Sequence, residues 1–340
     1  MTLRTVTLSP GFDHVVTIDR LAPGDVGRVL SWQVFASGKG VNVARTAAAL
    51  GVAGVAYSLV GEADSDEFDS MVETYGVRPV TVRVPGGTRR NLTLGLELPG
   101  YVAAHAVAPR LRAEASHAEE LIARLVADVQ PGDIVTLNGA VADGVPTSIW
   151  AEAGSAVHRR GAIVLADVQD QPLRELLSAG VVSMAKPNQA EAQALLENAD
   201  GGDMLRVAAD ALNIMKQRGV EVPVVTLGDS GVAHLKDGQQ VHTFCPVDVA
   251  RLVVGAGDAF MAGYCVALEG GAWREHDPVA LGVAVAAAHV SGAADRTLPH
   301  ATRSALGRVV HILPARGGDQ LSELPGPRPE APPTTRERYQ

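Results

Sequence analysis

Cysteine is nearly missing from this chain: Cys245 and Cys265 are the two in 340 residues. Neither stands in a Cys-x-x-Cys pair or a Cys/His cluster, which excludes a zinc ribbon and a disulfide framework. Aromatic residues make up 4% of the chain, too few for an aromatic-rich recognition surface. Positive charge is in deficit: Lys and Arg number 29 against 38 Asp and Glu, a formal charge of −9. Without a basic block, nucleic acid and anionic membrane are poor partners, and a phosphate must be held at a local cationic or amide site. No apolar run is long enough to span a bilayer, and the opening Met1-Thr2-Leu3-Arg4-Thr5 carries no secretory signal. The expectation is a soluble, cytoplasmic protein. Two phosphate-binding signatures are also absent. There is no GxxxxGKS/T, and GxGxxG fails because Phe260 takes the third glycine position after Gly255 and Gly257.

What is present is a chain that is 46% hydrophobic and dominated by Ala, Val, Leu and Gly, which suits helices packed closely on a sheet. Apolar periodicity alternates between strand and helix. Strands are expected at 6–8, 52–60, 133–137, 162–167, 181–185 and 222–227. Helices are expected at 43–50, 65–75, 115–129, 146–160, 173–179, 190–196 and 205–218. Strands alternating with helices of roughly 10–15 residues imply βαβ units and a mostly parallel sheet. Two stretches, about 12–36 and 88–108, break the pattern and read as hairpins around Pro23-Gly24-Asp25 and Pro99-Gly100. Inserted into a doubly wound domain, they form either a small lid sheet or two surface hairpins. Residues 1–314 are expected as one domain and 315–340, rich in proline, as a disordered tail.

The strongest local signal is Val253-Val254-Gly255-Ala256-Gly257-Asp258-Ala259-Phe260, where an apolar strand end meets glycines and then a helix. Glycine lets the backbone approach a ligand, and the first helical N–H groups attract an anion. Asp258 repels phosphate there, so its use is as a base for an attacking hydroxyl. The plain alternative is an acid stabilising the helix dipole. In Ser37-Gly38-Lys39-Gly40-Val41-Asn42, a lysine between glycines can reach an anion, or can be a solvated loop residue. In Lys186-Pro187-Asn188-Gln189-Ala190-Glu191, Asn188 and Glu191 read as a capping box or as groups ordering Mg²⁺. Thr88-Arg89-Arg90-Asn91 places two arginines in the second hairpin, as an anion clamp or as exposed charge.

Taken in order, these four pieces resemble the ribokinase-like PfkB family of carbohydrate kinases, most like its branch of 1-phosphofructokinases and tagatose-6-phosphate kinases. Thr7-Leu8-Ser9-Pro10-Gly11-Phe12-Asp13 and Thr226-Leu227-Gly228 with Gly231 join the resemblance, which runs from about residue 5 to about 313. The resemblance implies a three-layer αβα domain with a mostly parallel central sheet and a β-sheet lid, often used as a dimer clasp. It implies ATP and Mg²⁺, a sugar-phosphate acceptor and a possible homodimer. Asp258 is then the base, in a catalytic turn with Gly255, Ala256 and Gly257, the amides of Ala256 and Gly257 forming the anion hole. Asp13 and Asn42 hold substrate hydroxyls, while Lys39 and Arg89 hold the acceptor phosphate. Gly38 and Asn91 belong to the same substrate motifs. Lys186, Asn188, Thr226, Gly228 and Gly231 lie beside the nucleotide, and Asn188 with Glu191 places Mg²⁺.

The substrate end departs from the family pattern. Ser9 replaces an Asn, Ser37 replaces a Gly, and the stretch around Ala140 and that around His105 are altered. Leu252-Val253 stands where a polar pair is usual, which removes the support for a monovalent-cation site. Two other functions compete: a kinase of an unphosphorylated sugar or nucleoside, and a catalytically silent sugar-phosphate-binding protein.

Overall fold

The computed structural model describes residues 1–313 except 23, 25, 97–101 and 197–202. The expected tail, Pro23 and Asp25 of the first hairpin turn, and Pro99-Gly100 of the second fall outside the described residues. The elements in order are β1 (Leu3–Thr7), β2 (Gly11–Ile18), β3 (Val29–Ser37), α1 (Lys39–Ala49), β4 (Gly54–Gly61), α2 (Ser65–Thr74), β5 (Arg78–Val84), β6 (Arg90–Leu96) and β7 (Val102–Ala106). There follow α3 (Ala115–Asp128), β8 (Ile134–Asn138), α4 (Ile149–Arg159), β9 (Ile163–Asp167), α5 (Asp170–Ser178), β10 (Met184–Ala185), α6 (Gln189–Leu195) and α7 (Met204–Gln217). The chain continues with β11 (Val222–Thr226), β12 (Val232–Lys236), β13 (Gln239–Phe244), α8 (Ala256–Glu269), α9 (Pro278–Val290), α10 (Leu298–Leu306) and β14 (Val310–Ile312).

A ten-stranded sheet runs β14-β13-β12-β11-β10-β9-β8-β1-β4-β5. Its strands from β5 to β11 pair in parallel, and β12 to β14 are added antiparallel at one edge. Side chains alternate between the two faces of a strand, and the core divides accordingly. Val6, Val135, Leu137, Val164 and Val225 pack with α3, α4, α5 and α7 on one face. Leu3, Ile134, Leu165 and Val224 pack with α1, α8 and α9 on the other. Both faces being covered, the central strands are buried throughout. Helices α8 and α9 cross closely because glycines meet there. A Cβ on Gly263 would lie 2.8 Å from the Leu281 carbonyl, and one on Gly282 would lie 2.8 Å from the Phe260 ring.

The two expected hairpins join as one four-stranded sheet, β3-β2-β6-β7. Its central pair, β2 and β6, is parallel and sets Asp13 opposite Asn91. Three local expectations need correction. Val253 and Val254 are no strand end: they are 69% and 47% exposed, in a loop whose Arg251 and Leu252 amides donate to Val290 O at the end of α9. The strand expected at 181–185 shrinks to Met184–Ala185. Helix α1 starts at Lys39, four residues early, because Gly38 turns at φ 130° and opens the helix there. No helix among the described residues is long and apolar enough to cross a membrane.

Candidate active site

The site lies where the carboxyl ends of the parallel strands meet the amino ends of α1 and α8, the usual ligand edge of an open α/β sheet. Gly38 is required at the first of these helix starts. A Cβ there would stand 2.9 Å from Pro10 Cα, at a φ that side chains avoid. The Gly40 amide donates to Thr7 Oγ1 at 3.1 Å. That bond ties α1 to the end of β1, and two residues on, Asn42 reaches Asp258 of α8.

Helix α8 opens after Gly255, which is left-handed at φ 85°. Asp258 sits in its first turn, 7% exposed, and accepts a hydrogen bond from Asn42 Nδ2 at 2.7 Å. Burial pushes its carboxyl up to about 6, and the nearby charge of Asp167 adds to the rise. Asn42, Lys39 and Lys186 act against it. Of the two expected anion-hole amides, that of Ala256 donates to Val253 O at 3.2 Å. The Gly257 amide has no backbone acceptor among the described residues. The Lys186 ammonium stands close to the glycine turn: a Cβ on Gly257 would lie 3.1 Å from its Nζ.

Asp167, at the end of β9, is the group that sequence reasoning missed. Its carboxylate gathers two lysines. Lys39 Nζ donates to Oδ1 at 3.0 Å. Lys186 Nζ lies 3.3 Å from Oδ2, an ion pair whose angles fall outside hydrogen-bond geometry. Burial pushes the Asp167 carboxyl up, but Lys186 and Lys39 together hold it below the usual carboxylate range. Burial also disfavours the Lys39 cation, yet Asp167, Glu191 and Asp258 hold its pKa above the usual lysine value. The available signal was an acid closing a buried strand. It carried no flanking glycine motif, so its meeting with two distant lysines was invisible.

The two motifs expected beside the nucleotide come together. Thr226 N donates to Pro187 O at 3.0 Å, and Asn188 bridges to Thr226. Gly228 and Gly231 bend the chain just beyond, both at positive φ. Asn188 and Glu191 form the capping box of α6, with bonds of 2.9 and 2.8 Å. The other Glu191 oxygen, Oε1, faces Lys39 at 3.9 Å.

The motifs expected to hold the acceptor converge from the small sheet. Asp13 accepts from Asn91 Nδ2 at 2.7 Å and from Ser37 Oγ at 2.5 Å. Ser37 Oγ also stands 3.3 Å from Asn42 Oδ1, so polar contacts run from Asp13 through Ser37 and Asn42 to Asp258. Arg89 donates to the carbonyls of Pro10 and Ser9 at 3.1 and 2.8 Å. A cavity of about 630 Å³ opens beside these groups, lined among others by Lys39, Arg89, Arg110, Asn138, Gly139 and Gln169. Lys39 borders both this cavity and the buried carboxylates. A second missed group is His289 on α9. Its Nε2 lies 2.8 Å from the Val254 carbonyl that leads into the glycine turn.

The fold and sequence have clear relatives. The chain is 31% identical over 310 residues to the 1-phosphofructokinase of Xanthomonas campestris pv. campestris, covering 90% of this chain and 96% of that protein. It is 26% identical over 264 residues to the tagatose-6-phosphate kinase of Staphylococcus epidermidis, covering 76% and 83%. Among solved structures, phosphofructokinase-2 of Escherichia coli in complex with substrates and products superposes with a TM-score of 0.78 at 24% identity, covering 90% of this chain and 99% of that one. Ribokinase of Thermotoga maritima superposes with a TM-score of 0.67, also at 24% identity, covering 90% and 99%. Residues 9–301 match the pattern of the pfkB family carbohydrate kinases. The chain belongs to the pfkB family of carbohydrate kinases.

Proposed function

We propose that this protein transfers the γ-phosphoryl group of ATP to a hydroxyl of a sugar phosphate, with Asp258 as general base. The observation that carries the reading is the Asp258 carboxyl itself: buried, raised to about 6, and held by Asn42 at the start of α8. At neutral pH it is ionised yet poorly solvated, which favours taking a proton. The acceptor hydroxyl gives that proton to Asp258 and its oxygen bonds to the γ-phosphorus. The bond from that phosphorus to the bridging oxygen breaks, and ADP leaves. The Gly257 amide and the N-terminus of α8 face the negative charge that develops.

Lys39 is placed for this charge, because its ammonium is tied to Asp167 and Glu191 beside Asp258, and its side chain also lines the cavity of the acceptor phosphate. Arg89 serves the acceptor phosphate, and Asp13, Asn42 and Asn91 orient the sugar hydroxyls. Lys186, Thr226, Gly228 and Gly231 border the nucleotide. A divalent ion fits this donor set. Among the described residues no cluster of three metal-ligating side chains exists, but Mg²⁺ characteristically needs only one or two carboxylates plus phosphates and water. Glu191 Oε1 and the Asp167 oxygen lacking a hydrogen bond are the groups to hold it, with Asn188 fixing Glu191. Bound there, Mg²⁺ would screen the phosphate charge.

The small sheet serves as a lid over the acceptor, since Asp13 and Asn91 lie on it. Trp32 and Leu92 expose apolar surface on the same sheet, 63% and 41% exposed. That surface supports a homodimer through the lid. Light scattering on the purified chain tests the dimer. The reaction is tested by ADP release with fructose 1-phosphate, fructose 6-phosphate, tagatose 6-phosphate, fructose, ribose and adenosine. Turnover confined to fructose, ribose or adenosine would refute the sugar-phosphate reading.

A further inference from the structure

The acceptor cavity has a second guanidinium at its mouth. Arg110 lines it together with Arg89. Seven other arginines, Arg4, Arg45, Arg78, Arg83, Arg90, Arg124 and Arg308, each meet a carboxylate within 4 Å. Neither Arg89 nor Arg110 meets one among the described residues. Burial makes the Arg89 cation less favourable, Asp13 opposes this, and the charge of Arg110 adds a smaller penalty. Two cations lining one cavity repel, and an anion between them removes the repulsion.

The pair is built rather than accidental, and Ser9 builds it. The Ser9 carbonyl accepts from Arg89 Nη2 at 2.8 Å, and the Pro10 carbonyl from Nε at 3.1 Å. Nη1 has no hydrogen-bond partner among the described residues. The Ser9 hydroxyl accepts from the amide of Leu111 at 3.1 Å, next to Arg110 in the chain. On the other side, Asn91 Oδ1 accepts from the amide of Ala108 at 3.1 Å. The segment that carries Arg110 is thus fastened at both ends to residues that also hold Arg89 or Asp13. A flexible cation on a fastened backbone can close on a dianion while Asp258 and Asn42 receive the far end of the same molecule.

We propose that Arg110 and Arg89 together clamp the phosphate of the acceptor, and that Arg110 sets the preference for phosphorylated over unphosphorylated sugars. This rests on the sugar-phosphate kinase reading above. The full chain, Arg110→Ala and Arg110→Lys are compared by steady-state ADP release with fructose 1-phosphate, fructose 6-phosphate, tagatose 6-phosphate and fructose. In Arg110→Ala the KM for the best sugar phosphate rises about 10–100-fold, the range of one charge-assisted hydrogen-bonding pair. Its kcat changes less than its KM, and the kcat/KM ratio of sugar phosphate to fructose falls by the same factor. Arg110→Lys recovers part of the loss. An unchanged KM and ratio in Arg110→Ala, with the wild type still turning over sugar phosphates, overturns the role of Arg110 and leaves the kinase reading standing. A wild type that turns over fructose alone overturns that reading instead. Thermal stabilisation by inorganic phosphate decides the subsite without turnover: it is present in the wild type and lost in Arg110→Ala, and an equal shift in both proteins overturns the clamp.

Discussion

Asp258→Asn separates chemistry from stability and predicts that they move in opposite directions. In the native protein the carboxyl is raised from 3.8 to about 6. Folding therefore penalises its ionised form. The penalty is absent below the unfolded value of 3.8, grows through the window from 3.8 to about 6, and is complete above it. A rise of about 2 units corresponds to ~3 kcal/mol at pH 8 and roughly half of that at pH 5. Asparagine has no charge to bury, and its Oδ1 can still accept from Asn42 Nδ2. The variant is thus more stable than the wild type at pH 8 by up to ~3 kcal/mol. With an unfolding entropy of about 2.1 cal/mol/K per residue, a chain of this length gains roughly 4 °C in Tm. Removing the base proposed above should lower kcat by ~10²–10⁴-fold. The assay is scanning calorimetry at pH 5 and pH 8 beside ADP release. A Tm gain that is no larger at pH 8 than at pH 5, or a variant with undiminished kcat, would refute the reasoning.

Three further perturbations test the surroundings. Asp167→Asn leaves the buried Lys186 and the half-buried Lys39 without their shared counter-ion and should destabilise by ~3–5 kcal/mol. It also removes a charge that raises Asp258, so the acid limb of the pH–kcat profile should move below about 6; an unmoved limb contradicts the coupling. His289→Ala frees the Val254 carbonyl beside the glycine turn and should lower kcat by ~3–10-fold, a hydrogen bond's worth, with His289→Gln recovering part. No kcat difference between those two variants speaks against a positioning role. Arg4→Met breaks buried bonds to Asp133, Tyr57 and the Asp128 carbonyl, and should lose ~3–5 kcal/mol in denaturant melts. Because those bonds hold elements away from the site, its KM values should stay within about twofold of the wild type; a larger change would mean that β1 transmits strain to the site.

The amino-acid sequence alone determined the strand–helix alternation, the parallel sheet, the two hairpins and the glycine turns. Those features are local. An apolar period and a glycine at a fixed place can be read without knowing what lies across the molecule. Gly38 and Gly255 are where the backbone must take positive φ, so their motifs carried the candidate site. Tertiary structure decided what has no local mark. Asp167 is an ordinary strand-end acid until β9 places it between Lys39 and Lys186, 128 residues away and 19 residues away respectively. Val253 and Val254 have the composition of a strand, but the end of α9 takes the amides before them and leaves both exposed. Arg110 and His289 stand in no motif, and their positions follow from Ser9 and from the crossing of α8 and α9. The departures from the family pattern at Ser9 and Ser37 looked like losses in the sequence. In the folded chain Ser37 donates to Asp13, and Ser9 fastens Arg89 and the segment that carries Arg110. Pairings between distant residues depend on how layers stack, and stacking is a property of the whole fold rather than of any one stretch of it.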